Sequence, residues 1–155
     1  LFDSENLMPK DPGSIEFAIE GATILDEGLT SDAIMENHNL DPLEFGQILK
    51  FKLEDFFLDA LGLKIEASGS FEFDNGDFET FEGIPRPIGN GSVKLEGSDA
   101  FIDRLEKMQL FPSETIMGAR MMLALIMRVV DDDVLISEFE IDQKGKIYAN
   151  GQRLR

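Results

Sequence analysis

The feature that most constrains this chain is a period-two alternation of apolar and polar residues that recurs along its length. In Ser14–Glu20, the residues Ile15, Phe17 and Ile19 fall on one side, with Glu16 and Glu20 on the other. In Lys64–Phe73, Ile65, Ala67, Phe71 and Phe73 oppose Lys64, Glu66, Ser68 and Glu72. Val93 and Leu95 alternate with Ser92, Lys94 and Glu96, and Leu135, Phe139 and Ile141 share a side further on. Successive side chains of a strand point to opposite faces, so each segment predicts a strand with one dry and one wet face. A parallel sheet covered on both sides would instead need continuously apolar strands. The expected fold is therefore α+β: a twisted antiparallel sheet with helices packed on its dry face, in two layers.

Turn chemistry supports that reading. Asn75-Gly76, Asn90-Gly91 and Asn150-Gly151 can each supply the positive φ angles of tight turns. Gln143–Lys146 separates two strand-like runs and predicts a C-terminal hairpin. Between Phe73 and Ser92, Pro85 and Pro87 argue against regular ladder pairing, and the stretch is expected to be an ordered loop over a sheet edge.

Helical spacing interrupts the alternation. Thr30–His38 predicts a short helix capped by Thr30 or Ser31. Ser98–Met108 places Phe101, Ile102, Leu105 and Met108 on one stripe, with Asp99, Asp103, Arg104 and Lys107 outside and Ser98 as cap. Ser113 is the expected cap of a third helix, which contains the run from Ile116 to Met127. That run has about 12 residues where a bilayer needs about 20, and Arg120 and Arg128 interrupt it, so no transmembrane segment is expected. A helix apolar nearly all round must be covered nearly all round. Two readings follow: a central helix lying across the dry sheet face beside Phe101–Leu105, or a helix lining a groove for an acyl chain or a partner helix, since Met adapts to varied surfaces. The candidate groove lining is Phe71, Phe73, Met117, Met121 and Leu125.

Composition excludes several functions. Acidic residues outnumber basic ones 31 to 14, for a formal charge of -17, and such a field repels nucleic-acid backbones. The chain has no cysteine and a single histidine, His38. Disulfides, thiolate zinc sites, a cysteine nucleophile and transition-metal sets built on paired histidines are thus ruled out. Asp74, Asp77 and Glu79, or Asp131, Asp132 and Asp133, could meet calcium, but neither group has the spaced order of an EF-hand loop. Asn90-Gly91-Ser92 fits the N-glycosylation pattern, which carries meaning only in a eukaryotic secretory setting. No dinucleotide, P-loop or nucleophile-elbow motif is present. No cofactor, metal or catalytic residue is expected.

From Leu61 onward the order of pieces is itself informative. "GSFEFD" closes a strand, a Gly-Pro loop follows, and "VKLEG" leads into a helix ending "LEKMQLFPSE". Then come "MGARMMLAL" and a final hairpin closing on "ANGQRLR". This series resembles the C-terminal part of the uncharacterised bacterial domain-of-unknown-function family two-one-two-five. The resemblance implies a Gram-negative envelope protein, periplasmic and anchored by a segment outside this chain, with no catalytic residues to carry over. The layout is also similar to the C-terminal region of large envelope proteins proposed to move lipids along an apolar β-groove. The chain begins at Leu1 rather than Met, as expected of a processed product or fragment. Its 155 residues without repeat or linker are expected to form a single domain, which the resemblance implies is the C-terminal part of a longer protein. The functional expectation is a non-enzymatic domain that binds a lipid or an envelope protein. Its rivals are a purely structural assembly module and a hydrolase built on an unrecognised carboxylate pair.

Overall fold

In the computed structural model of the chain, which describes residues 7–24 and 47–155, eight antiparallel strands form one open sheet. The strands are β1 (Ser14–Ile24), β2 (Gln47–Ala60), β3 (Leu63–Asp74), β4 (Arg86–Glu96), β5 (Arg128–Asp131), β6 (Val134–Ile141), β7 (Ile147–Ala149) and β8 (Gln152–Arg153). Two helices, α1 (Ser98–Lys107) and α2 (Ser113–Ile126), connect β4 to β5. The expected α+β class and antiparallel sheet are thus observed. The helix expected over Thr30–His38, with His38, lies outside the described residues.

Strand order is β1-β2-β3-β4-β6-β7-β8, and β5 pairs with β6. The register carries the alternation from strand to strand. Leu58, Ile65, Leu95 and Leu135 lie in one cross-strand row, and Phe56, Ala67, Val93 and Ser137 in the next. The wet face has matching rows, such as Glu66 beside Lys94, with their charged ends 3.8 Å apart.

The longest strand is the one whose alternation is broken. In β2 the phase set by Phe51 and Leu53 resumes at Phe56 and Leu58, because a bulge at Glu54-Asp55 interrupts the pairing with both neighbours. An extra residue in one strand lets apolar residues on both sides of it keep the same face. The turn into β3 has no Asn-Gly signal; Leu61 (φ 57°) and Gly62 (φ 77°) supply the two positive φ angles. At the other end of the sheet, Asn150 (φ 50°) and Gly151 (φ 76°) join β7 to β8 as expected.

Two turn expectations are corrected. Asn90-Gly91 sits inside β4, opposite Ser70 and Gly69, and β4 starts at Arg86, so Pro87 takes a ladder position opposite Phe73. The loop is accordingly shorter, residues 75–85. Asp77 organises it by accepting hydrogen bonds from the Glu79 and Thr80 amides, the Thr80 hydroxyl and Arg86. Asn75-Gly76 does begin that loop, but without positive φ; the Gly76 amide donates to Asp74 Oδ1.

Both helix caps also differ from expectation. Gly97 precedes α1 without a side-chain cap, and Pro112 precedes α2 in the same way. Asp133, in the β5–β6 turn, supplies the missing acceptors for α1: its carboxylate takes the amides of Asp99 (2.7 Å) and Ala100 (3.1 Å). A cap 34 residues away in sequence ties the helix to the sheet.

The core is small. Among the described residues the buried apolar side chains are Ile102, Ile116 and Ala149, with Ser98 and Ser137 as buried polar neighbours. The expected stripe of α1 is observed, with Ile102 buried and Phe101, Leu105 and Met108 half-buried. Helix α2 turns only Ile116, Leu123 and Ile126 inward, which corrects the reading of a central, fully covered helix.

Candidate functional site

The outer side of α2 is the first candidate. Residues four apart stack on one helix face, so Met117, Met121 and Leu125 form a ladder, with Met122 beside it. All four are exposed; Met121 is 68% accessible against 5% for Ile116 on the inner side. Val129 and Val130 of β5 extend the surface. Arg120, which interrupts the apolar run, braces the helix pair by reaching Asp99 (3.3 Å), Asp103 and Glu106 (4.0 Å) of α1. The end of α2 is fixed as firmly: the Ile126 carbonyl oxygen accepts from Ser137 Oγ (2.5 Å) and Asn150 Nδ2 (3.0 Å). The exposed face is therefore held by polar contacts on its inner side.

The dry face of the sheet at β1 and β2 is the second candidate. Ile15, Phe17 and Ile19 continue the apolar rows of the sheet, yet Phe17 is 66% accessible. Phe51 is exposed as well. Among the described residues the dry face is thus open to solvent at Ile15, Phe17, Ile19 and Phe51.

Phe71 and Phe73 behave differently from the three helix residues. Both are half-buried on β3, and Phe71 has a structural seat. A Cβ placed on Gly69, Gly89 or Gly91 would lie 3.2, 3.0 and 3.7 Å from the Phe71 ring. Three glycines of β3 and β4 leave the space that one aromatic ring fills, in the manner by which aromatic residues cover strand glycines. The sequence carries this signal, because Gly69, Gly89 and Gly91 share the parity of Ala67, Phe71 and Val93, but a glycine adds nothing visible to an alternation.

Two hollows lie on the polar side of the sheet. A trough of about 710 Å³ is bordered by Lys52, Glu54, Ser70, Asn90, Glu138 and Glu140. A second, of about 310 Å³, adjoins it at Ser68, Ser92 and Glu138. Neither is lined by Phe71, Phe73, Met117, Met121 or Leu125. The five residues expected to wall a groove are thus divided: Phe71 is seated on glycines, Phe73 is half-buried beside Pro87 on β3, and Met117, Met121 and Leu125 stand on an open helix face. Asn90 of the glycosylation pattern stands in the larger trough, paired between Ser70 and Glu140.

The carboxylate clusters have structural occupations. Asp74 and Asp77 both meet Arg86, and Asp133 caps α1. Among the described residues no three His, Cys, Asp or Glu side chains converge as metal ligands. Four carboxyl groups are pushed to lower pKa. For Asp77 the main cause is hydrogen bonding from Thr80, for Asp142 the Lys146 amide, and for Glu54 and Glu96 the bonds from Lys52 and Lys94. A general acid requires the opposite displacement. Among the described residues no helix is long and apolar enough to cross a membrane.

No protein-family model matches the chain, and no curated protein or solved structure matches it.

Proposed function

We propose that this chain is a non-enzymatic binding domain of the cell envelope whose apolar helix and sheet faces are covered by a partner. The observation that carries the reading is the exposure of Met117, Met121, Met122 and Leu125 on a helix whose inner side is firmly anchored. Each such side chain forgoes roughly 1.5–3 kcal/mol while it remains in water. Contiguous apolar surface of that kind marks interaction sites in soluble proteins. A periplasmic setting follows only from the family resemblance.

The open shape favours a protein surface as the cover. Small-ligand sites enclose most of their ligand, whereas the two troughs here lie beside charged residues such as Lys52, Glu54, Glu66 and Lys94, and Met117, Met121 and Leu125 border neither. A lipid acyl chain is the second reading, supported by the adaptability of methionine. The lowered carboxyl pKa values give no support to a hydrolase.

Met121→Asp tests the proposal. Because Met121 is exposed, the variant should stay folded, losing at most about 1 kcal/mol from lower helix propensity. Saturable Nile red fluorescence should fall several-fold in the same variant. A variant that unfolds would return Met121 to the core, and unchanged fluorescence would show that the face does not bind apolar groups. Native mass spectrometry with organic extraction then separates a lipid-sized adduct from a protein complex.

A further inference from the structure

The two edges of the sheet are built differently. At one end, β7 has three residues and β8 two, and the chain folds back so that Leu154 donates to the Ile147 carbonyl at 2.8 Å. Arg155 also reaches the Thr80 carbonyl at 3.2 Å and stands over the Phe81 ring. Short strands and nearby cations blunt an edge against further pairing.

At the other end, β1 runs for 11 residues, all of them exposed. Among the described residues it pairs with β2 alone. It contains no Pro, Lys or Arg. Both register shifts in its ladder arise in β2, where Glu54 and Leu49 are the extra residues, so β1 itself continues without a bulge from Ser14 to Ile24. At about 3.4 Å per residue, its free side offers some 35 Å of backbone donors and acceptors. Proteins normally disguise such an edge, and an added strand can exchange water for protein hydrogen bonds along the whole row.

The side chains describe the strand that would fit. On the dry face it would meet Ile15, Phe17 and Ile19, and on the wet face Glu16 and Glu20. Lys52, across from Glu20, is already taken by Glu54 at 2.8 Å, and the residue opposite Glu16 is Phe57. A second copy would bring another charge of -17, so like charges oppose self-pairing.

We propose that the open edge of β1 is a strand-acceptor site for an extended segment of another polypeptide, with apolar residues beside Ile15, Phe17 and Ile19 and Lys or Arg beside Glu16 and Glu20. Main-chain hydrogen bonds give affinity in this mode, and the alternate side chains give specificity. The inference deepens the proposed function by naming a partner for the sheet face, and it does not depend on α2.

The probe is a fluorescent octapeptide of alternating Val and Lys, used with two derivatives N-methylated on one or the other alternate set of four amides. Charge and apolarity are the same in both derivatives, but only one set of amides can face β1. The parent should bind and slow amide exchange across residues 14–24. One derivative should bind at least tenfold more weakly than the other, and Phe17→Lys/Ile19→Lys should weaken the parent by at least tenfold. Equal binding by the two derivatives would reduce the interaction to charge attraction and overturn the proposal, as would no binding or protection confined to other residues. A dimer dissociated by the peptide would put a second copy on the edge and overturn it too. Met121→Asp should leave peptide binding unchanged, so loss of Nile red binding and loss of peptide binding test separate claims.

Discussion

Asn150→Ala is the perturbation that reads most directly how α2 is held. Strand β6 pairs with β5 as far as Ile136 and with β7 from Phe139, leaving a gap at Ser137 and Glu138. Asn150 fills it. Its amide donates to the Glu138 carbonyl (2.8 Å), its Oδ1 accepts the Glu138 amide (3.0 Å), and its Nδ2 donates to the Ile126 carbonyl at the end of α2 (3.0 Å). Alanine keeps only the first. The Glu138 amide is exposed, so water replaces that partner at a cost of about 0.5 kcal/mol, the low end for a hydrogen bond. The Ile126 carbonyl retains Ser137 and loses about 0.5–1 kcal/mol. Alanine at φ 50° adds about 1 kcal/mol that Asn largely avoids. The sum is roughly 2–2.5 kcal/mol, or about 4–10 °C in Tm for a domain of this size. Asn150→Gly restores the backbone freedom and should lose only about 1–1.5 kcal/mol. Adding Ser137→Ala to Asn150→Ala leaves the Ile126 carbonyl without either donor, so the pair should exceed additivity by about 1 kcal/mol or more. Urea denaturation followed by circular dichroism measures the parent, the single variants Asn150→Ala, Asn150→Gly and Ser137→Ala, and the double variant. Strict additivity, or Ala and Gly variants both within about 0.5 kcal/mol of the parent, would refute the account of how the helix end is tied to the sheet.

Removing the cap of α1 by Asp133→Ala should cost about 2–3 kcal/mol, about 1–2 from the cap and about 1 from alanine at φ 49°. Asp133→Gly, free of that strain, should lose the cap contribution alone, as read by thermal unfolding; no loss in the Gly variant would mean that the carboxylate does not cap the helix. Two glycine variants should move in opposite directions. Gly89→Ala would set its Cβ 2.1 Å from the Ser70 carbonyl oxygen and should lose about 3 kcal/mol or more, or fail to fold. Gly118→Ala meets nothing within 4 Å on α2 and should gain about 0.5–1 kcal/mol; the same chemical denaturation series decides both. Asp77 and Asp142 have lowered folded-state pKa values, so their contribution is complete above the unfolded value near pH 3.9 and is lost as pH falls through the lower folded values. Stability measured from pH 5 to pH 2 should therefore drop less steeply in Asp77→Asn/Asp142→Asn than in the parent; equal slopes would remove these carboxylates from the acid transition.

These predictions divide the molecule into an anchored end and an open one. The helices and the C-terminal hairpins are joined by Asp133, Asn150, Ser137 and the Arg120 ion pairs, while β1 and the outer side of α2 present apolar residues to solvent. Rigidity on one side of a surface and exposure on the other is the arrangement expected of a preformed docking face.

The sequence by itself determined the antiparallel α+β class, because alternation at period two and spacing near 3.6 are local consequences of where successive side chains point. It marked β1, β3, β6, the stripe of α1 and the Asn150-Gly151 turn in this way. It missed β2 because the Glu54-Asp55 bulge shifts the phase within one strand, and it misread Asn90-Gly91 because Gly91 serves there as part of the flat floor beneath Phe71. Only the tertiary structure decided which apolar faces are covered. Apolar character says that a surface gains from burial but not what buries it: Ile116 and Met117 are equally greasy neighbours, and the direction in which α2 docks turns one inward and leaves the other in water. The same holds for polar partners far apart in sequence, since Asp133 becomes a helix cap through a turn that brings it to the first amides of α1.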